Sequence, residues 1–202
     1  MTRFSQLSSW WNGSLEGINK SPARFDFAKL ENLNGHYIRH SDDADLLNQF
    51  MDFLPHVEGG SELLAKIDAP MKAKLLAAMP GLKERAKTLV ELKTSSAYLF
   101  ARRPLIPDQK AAAVLDLDGR TANTASFGVL SSATDWNARS LEQAMKNYVI
   151  DTGDKLGNLA QPLRAALTGT TTSPGIFEVL EVLGREEALA RIKDQSTETE
   201  KE

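Results

Sequence analysis

Apolar residues recur at intervals of three and four along nearly the whole chain, and strand-like alternation is scarce. The pattern predicts an all-α protein. Leu30, Leu33, Tyr37 and Ile38 mark a helix from about Phe27 to Arg39. Asp42 and Asp43 are candidate caps for a helix carrying Leu46, Leu47, Phe50, Phe53 and Leu54, stopped by Pro55. Ser61 is placed to cap the next run, with Leu63, Leu64 and Ile67, and Pro70 to restart it through Met71, Leu75 and Leu76. Pro80 opens another helix with Leu82, Ala86, Leu89 and Val90 on one side, and Tyr98–Leu99–Phe100 follows as a short apolar anchor. Further helices are predicted near Asp108–Leu117 and Ser140–Ile150, the second carrying Leu141, Met145, Tyr148 and Val149.

The strongest periodicity lies in Lys155–Ile192. Leu156, Leu159, Leu163 and Leu167 stack on one helical face, with Pro162 placed to kink or restart the helix and Gly169 to stop it. After a Thr/Gly/Ser loop, Ser173 followed by Pro174 has the form of an N-cap with proline at the first helical position. Ile176, Phe177, Leu180 and Leu183 form the next stripe, Gly184 ends it, and Leu189 and Ile192 continue the burial in a last short helix. On period and caps alone this is a helical hairpin that packs.

Two prolines bracket the linker Arg102-Arg103-Pro104-Leu105-Ile106-Pro107, which makes it the best boundary in the chain. It divides a first helical module, 41–103, from a second, 108–192. Residues 193–202, KDQSTETEKE, lack an apolar anchor and are expected to be a disordered tail.

Composition adds limits. At 202 residues, 42% hydrophobic and 25% charged, the chain has the make-up of a globular protein with room for real cores. It has no cysteine, which excludes disulfides and thiolate metal sites and suits a reducing cytoplasm, and no apolar run approaches membrane-spanning length. The formal net charge of −3 argues against nucleic acid, yet Lys83–Lys110 holds seven basic residues against three acidic ones. Such a segment suits a phosphate backbone and suits a solvated helix face equally well.

Candidate chemistry is sparse. His36 and His40 stand four apart on one helical face, which is metal-ligand spacing, but a third ligand is lacking and no metal is expected. Val114–Thr121, VLDLDGRT, resembles the Asp-x-Asp-Gly-Thr nucleophile motif of haloacid-dehalogenase-type phosphatases. Arg120 splits Gly119 from Thr121, the preceding run is helical and no βαβ alternation follows, so Asp116 is expected at a helix end before a polar loop. An EF-hand fails because Arg120, Thr121 and Phe127 stand at ligand and turn positions. No glycine-rich phosphate loop is present, and no catalytic residue is assigned.

Three short motifs occur in order: Gln161–Arg164 (QPLR), Ala166–Gly169 (ALTG) and Ser173–Gly175 (SPG). Together with Tyr98–Phe100 and with GINKSPARFDFAKLENLNGHYIR over Gly17–Arg39, the chain resembles the C-terminal region of bacterial glutamyl-tRNA synthetases, weakest from Lys110 to Arg139. It departs from them at Asn32, where an aromatic is usual, and at Trp10-Trp11, which does not match the usual Phe-x-Leu lead-in. The resemblance implies that residues 1–40 are the end of a stem-contact domain and that both helical modules bind the anticodon arm of glutamate tRNA. The family's reaction, ATP-dependent glutamylation of tRNA with magnesium, uses a His-x-Gly-His type motif and a Lys-Met-Ser-Lys type loop. Neither is present, so this chain is expected to need no cofactor and to be inactive alone.

The resemblance also implies roles for residues. An arginine on the helix ahead of the Tyr-Leu-Phe segment reaches the anticodon, and Arg85 stands at that place; Arg164 matches the motif arginine. A planar guanidinium suits the task because it stacks and binds two acceptors at once. Gln161, Thr168, Ser173 and Ile176 lie in the same motifs and are candidates for the anticodon surface, although capping is the first assignment for Ser173. Lys83, Lys87, Arg102 and Arg103 are expected on phosphates. The chain is expected to be a cytoplasmic monomer that touches no membrane. The rival reading is a stand-alone helical protein–protein interaction module derived from the same domain.

Overall fold

The computed structural model describes residues 26–197. The Trp10-Trp11 departure, the lead-in before Asp26 and the last five tail positions lie outside the described residues. Among the described residues there are eleven α-helices and no strand.

The first half holds α1 (Phe27–His40), α2 (Asp43–Phe53), α3 (Gly60–Leu64), α4 (Ala69–Lys83) and α5 (Leu89–Ser96). Short acceptor side chains start most of these. Asp26, Asp42, Asp68 and Thr88 each accept a backbone N–H from the first turn they precede, satisfying a donor that the helix itself cannot. The second half holds α6 (Gln109–Val114), α7 (Leu117–Ser131), α8 (Ala138–Thr152), α9 (Leu156–Thr168), α10 (Ile176–Leu183) and α11 (Arg185–Asp194). Asp108, Asp116 and Asn137 cap α6, α7 and α8 in the same way.

The sequence expectations need six corrections. Ser61 does not cap: it lies inside α3, and Gly59, at φ +66°, takes the N-cap place. The chain turns sharply after a 3-10 turn at Leu54–His56, and only glycine enters that left-handed region without strain. Pro80 does not open a helix; α4 runs through it to Lys83, because Ala78, Met79 and Leu82 are buried around it and their packing outweighs one lost hydrogen bond. Asp116 is followed not by a polar loop but by α7. Pro174 begins no helix, since α10 starts at Ile176 with Gly175 before it. The chain stays ordered past 193: α11 reaches Asp194, Gln195 is buried, and Thr197 shares a hydroxyl hydrogen bond with Thr124 at 2.8 Å. Pro162 neither stops nor restarts α9, which is continuous with the proline itself buried.

Helix α9 is the spine of the second half. Leu159, Leu163 and Leu167 are buried along it, α7 and α11 lie against it, and α10 packs between α4 and α8. The apolar cluster is continuous across the 102–107 linker: Phe50, Leu75, Met79 and Leu92 share it with Leu141, Met145, Leu163 and Leu180.

A buried arginine pins this arrangement. Arg191 on α11 is 2% exposed. Its guanidinium donates to the carbonyls of Tyr98 (3.0 Å), Leu167 (2.8 Å) and Ala101 (3.1 Å) and to the Glu187 carboxylate (2.6 Å). One side chain thus ties α11 to the end of α9 and to the segment entering the linker. Arg103 adds a paired contact to Asp194, at 2.9 and 2.8 Å. Gln195 donates to the Leu105 carbonyl at 3.3 Å.

Candidate nucleic-acid interface

A groove of about 470 Å³ opens where the end of α4 faces the loop between α9 and α10. Arg85, Lys87 and Tyr98 line one side, and Thr168, Ser173 and Pro174 the other. Arg85 was expected on a helix; it sits instead in the exposed turn between α4 and α5, where the backbone leaves the helix after Lys83. Alanine 86, beside it, is buried and anchors that turn.

Arg164 sits in the wall behind Ser173. Its Nη1 donates to the Ser173 hydroxyl at 2.8 Å, to the Ser173 carbonyl at 3.4 Å and to the Pro174 carbonyl at 3.3 Å. The QPLR and SPG motifs are therefore joined by one guanidinium. Its pKa lies below the ordinary arginine value, first through burial and then through the charge of Arg85. Two cations thus converge on the same groove. The Nε of Arg164 is buried without a hydrogen-bond partner among the described residues.

Ser173, 5% exposed, is a clasp for Arg164 rather than a helix cap. Thr168 is 8% exposed, and its hydroxyl donates to the Arg164 carbonyl at 2.9 Å, closing the last turn of α9 before Gly169. Ile176, 5% exposed, belongs to the core under the groove. Gln161 departs from the group. It is exposed and lines a separate hollow with Asp116, Asp118 and Asp154, a surface whose charge repels a phosphate backbone.

The four basic residues expected on phosphates divide evenly. Lys83 is engaged by Asp43 at 2.6 Å and by the Ser41 carbonyl at 2.9 Å, holding α4 to the corner before α2. Arg103 is engaged by Asp194. The side chains of Lys87 and Arg102 are exposed, and no partner takes their charges among the described residues. The backbone of Lys87 is fixed, its carbonyl accepting from Asn34 and its N–H donating to Glu91, both at 2.6 Å.

Tyr98 forms the groove floor, and sequence reasoning saw it only as an apolar anchor. Burial pushes its hydroxyl pKa well above the usual tyrosine value; Arg191 pulls the other way, and Glu178 adds to the rise. A buried acid with a raised pKa contributes full stability while it is neutral in both states. That contribution is lost as pH climbs above about 10, where the unfolded chain's tyrosine ionises and the folded one does not. Chemical denaturation at pH 8 and pH 11 should show a smaller alkaline loss of stability for Tyr98→Phe than for the parent chain. An equal loss in both would remove Tyr98 as a cause.

Comparison with known proteins bears on this geometry. The family model described as anticodon binding domain matches residues 44–195. The chain is 57% identical over 182 residues to glutamate–tRNA ligase 1 of Beijerinckia indica subsp. indica, covering 90% of this chain and 38% of that protein. It is 51% identical over 193 residues to glutamate–tRNA ligase 2 of a Chelativorans species, covering 96% and 40%. The chain thus spans about two-fifths of the length of these curated relatives. Its fold is shared with the crystal structure of a glutamate tRNA ligase from Elizabethkingia meningosepticum, at a TM-score of 0.71 and 22% identity over 91% of this chain and 34% of that one.

Proposed function

We propose, on the premise that this chain belongs to the anticodon binding domain family, that it reads the anticodon of glutamate tRNA for a glutamate–tRNA ligase. The observation carrying this reading is the convergence of Arg85 and the Arg164–Ser173–Pro174 clasp on one groove. Unpaired loop bases are recognised by stacking on planar groups and by hydrogen bonds to their edges, with cations on the flanking phosphates. Arg85 offers an exposed guanidinium for a base edge. Arg164 fixes the opposite wall and adds positive potential behind it. Lys87 supplies a phosphate partner at the rim. Thr168 and Ile176 shape the wall from beneath rather than touching RNA. Lys83 and Arg103 hold the scaffold, and Gln161 lies away from the groove.

In this reading the ATP- and magnesium-dependent joining of glutamate to tRNA is done by another part of a longer polypeptide, and the chain alone is a catalytically silent, monomeric tRNA-binding unit of the cytoplasm. Among the described residues no helix is long and apolar enough to cross a membrane. The acidic net charge of −3 makes binding depend on the local basic face.

The test is a titration with glutamate tRNA and with an anticodon-altered version at several salt concentrations. Affinity should fall with salt. Arg85→Ala should lower affinity for the cognate tRNA about tenfold and erase the preference between the two, the size of one well-placed arginine contact. Binding that is equal for both tRNAs and insensitive to salt, or absent, overturns the reading.

A further inference from the structure

The groove of Arg85 does not end at the Thr168–Thr172 loop. A second hollow, of about 690 Å³, lies on the other side and shares Thr168 and Thr170 with the first. The linker forms its far wall, with Arg102, Leu105, Ile106 and Pro107. Ile106 is 93% exposed, the most exposed of the large apolar side chains among the described residues.

That exposure is built in. On one side of Ile106, Leu105 is buried and its carbonyl accepts from Gln195 at 3.3 Å. On the other, the Asp108 N–H donates to the Gly169 carbonyl at 2.8 Å. These anchors, one residue before Ile106 and two after it, fix the backbone on both sides, and the Ile106 side chain stands exposed at the lip of the hollow. An apolar side chain there gains nothing from solvent, so its surface is free to pack against a flat apolar partner.

The charges beside it are sorted. Arg103 is consumed by Asp194, while Arg102, next in sequence, is exposed with its guanidinium unpaired among the described residues. The one carboxylate lining the hollow, Asp108, is exposed and caps α6 through one oxygen, which accepts the Ala111 N–H at 2.7 Å. The hollow thus presents toward solvent an unpaired Arg102 guanidinium beside the Ile106 side chain, and it shares Thr168 and Thr170 with the first groove.

We propose that this hollow is a second RNA subsite, in which Arg102 takes a backbone phosphate and Ile106 packs against the face of the unpaired base that flanks the anticodon. It rests on the anticodon reading above and extends it by one nucleotide. The phosphate contact carries no sequence information, and an isoleucine edge accepts any base face, so the subsite adds affinity and register rather than a further letter of recognition.

The experiment uses anticodon-arm hairpins of glutamate tRNA in three forms: intact, abasic at the nucleotide 5′ to the anticodon, and abasic at the nucleotide 3′ to it. The full chain is compared with Ile106→Ser, Arg102→Ala and Arg85→Ala. Both Ile106 and Arg102 are exposed, so their substitution leaves folding intact. Ile106→Ser should weaken binding of the intact hairpin about fivefold and cause no further loss on one of the two abasic hairpins, the signature of a shared contact. Arg102→Ala should weaken all three hairpins alike and reduce the salt slope by about one. If both variants bind like the parent chain while Arg85→Ala is weakened, the second subsite is overturned and the anticodon reading stands. If Ile106→Ser weakens intact and both abasic hairpins equally, the base contact is overturned. If Arg85→Ala also binds like the parent, the anticodon reading falls and takes the subsite with it.

Discussion

Arg191→Ala should destabilise the chain by about 3–5 kcal/mol, one of the two largest losses expected from a single substitution here. The side chain is almost wholly buried and makes four hydrogen bonds, three to backbone carbonyls. Alanine leaves the Tyr98, Leu167 and Ala101 carbonyls without that donor and opens a cavity between them. An orphaned buried acceptor costs its full desolvation, about 1–3 kcal/mol. Arg191→Met separates the two causes, because it refills much of the volume while restoring no hydrogen bond. It should recover less than half of the loss. Urea denaturation of the three chains measures this directly. A shift of under about 1 kcal/mol for Arg191→Ala would show that the carbonyls find water and that the residue is dispensable.

Gly119→Ala is the second. A Cβ at this position would stand 1.9 Å from the Val114 carbonyl oxygen, a backbone atom that no side-chain rotation can move. The short helix α6 and the start of α7 must therefore separate, which also disturbs the Asp116 cap on the Gly119 N–H at 2.9 Å. The expected cost is about 2–4 kcal/mol, above the usual range for a surface substitution. Thermal unfolding followed by circular dichroism reads it. An alanine variant within about 0.5 kcal/mol of the parent would mean that the corner is slack. The same geometry explains the phosphatase-like string VLDLDGRT. Its aspartate and glycine are there to turn a chain between two helices, the first as an N-cap and the second for want of a side chain.

The elements that were legible in sequence are those whose buried faces are made of large apolar residues. Leu46, Leu47 and Phe50 announce α2, and Leu159, Leu163 and Leu167 announce α9, with Gly169 and Gly184 ending their helices as expected. Helix α7 stayed hidden for a physical reason. Its buried positions are Gly119, Asn123, Ser126 and Leu130, which keep the helical spacing but carry almost no hydrophobic signal. Small residues there let α7 approach α9 closely, so the feature that makes the packing also erases the pattern. Arg191 was invisible for a related reason. Within REEALARIKD a charged residue has the look of solvent-facing surface, and only the meeting of three carbonyls from distant segments makes a place for it.

The site followed the same division. Short motifs located Arg164 and Ser173, but not that one clasps the other, because their contact depends on the loop between α9 and α10 returning on itself. Gln161 shares a motif with Arg164 yet lines a different hollow, beside Asp154 and Asn158 toward the start of α9, and that neighbourhood is not visible from the motif. Lys83 and Arg103 were indistinguishable in sequence from Lys87 and Arg102. The carboxylates that claim the first pair, Asp43 and Asp194, are remote along the chain.

The reach of Arg191 also sets an order of events during synthesis. Its contact with the Tyr98 carbonyl joins residues 93 positions apart. While the nascent chain is being made, the first five helices can gather around Phe50 and Leu75, but the approach to the linker has no donor for its carbonyls until α11 emerges. Domains made on the ribosome fold as their segments become available. Here that wall of the groove is completed only once α11 is available, so a chain stalled before Arg191 would display the Arg85 turn without the carbonyls beneath it held in place.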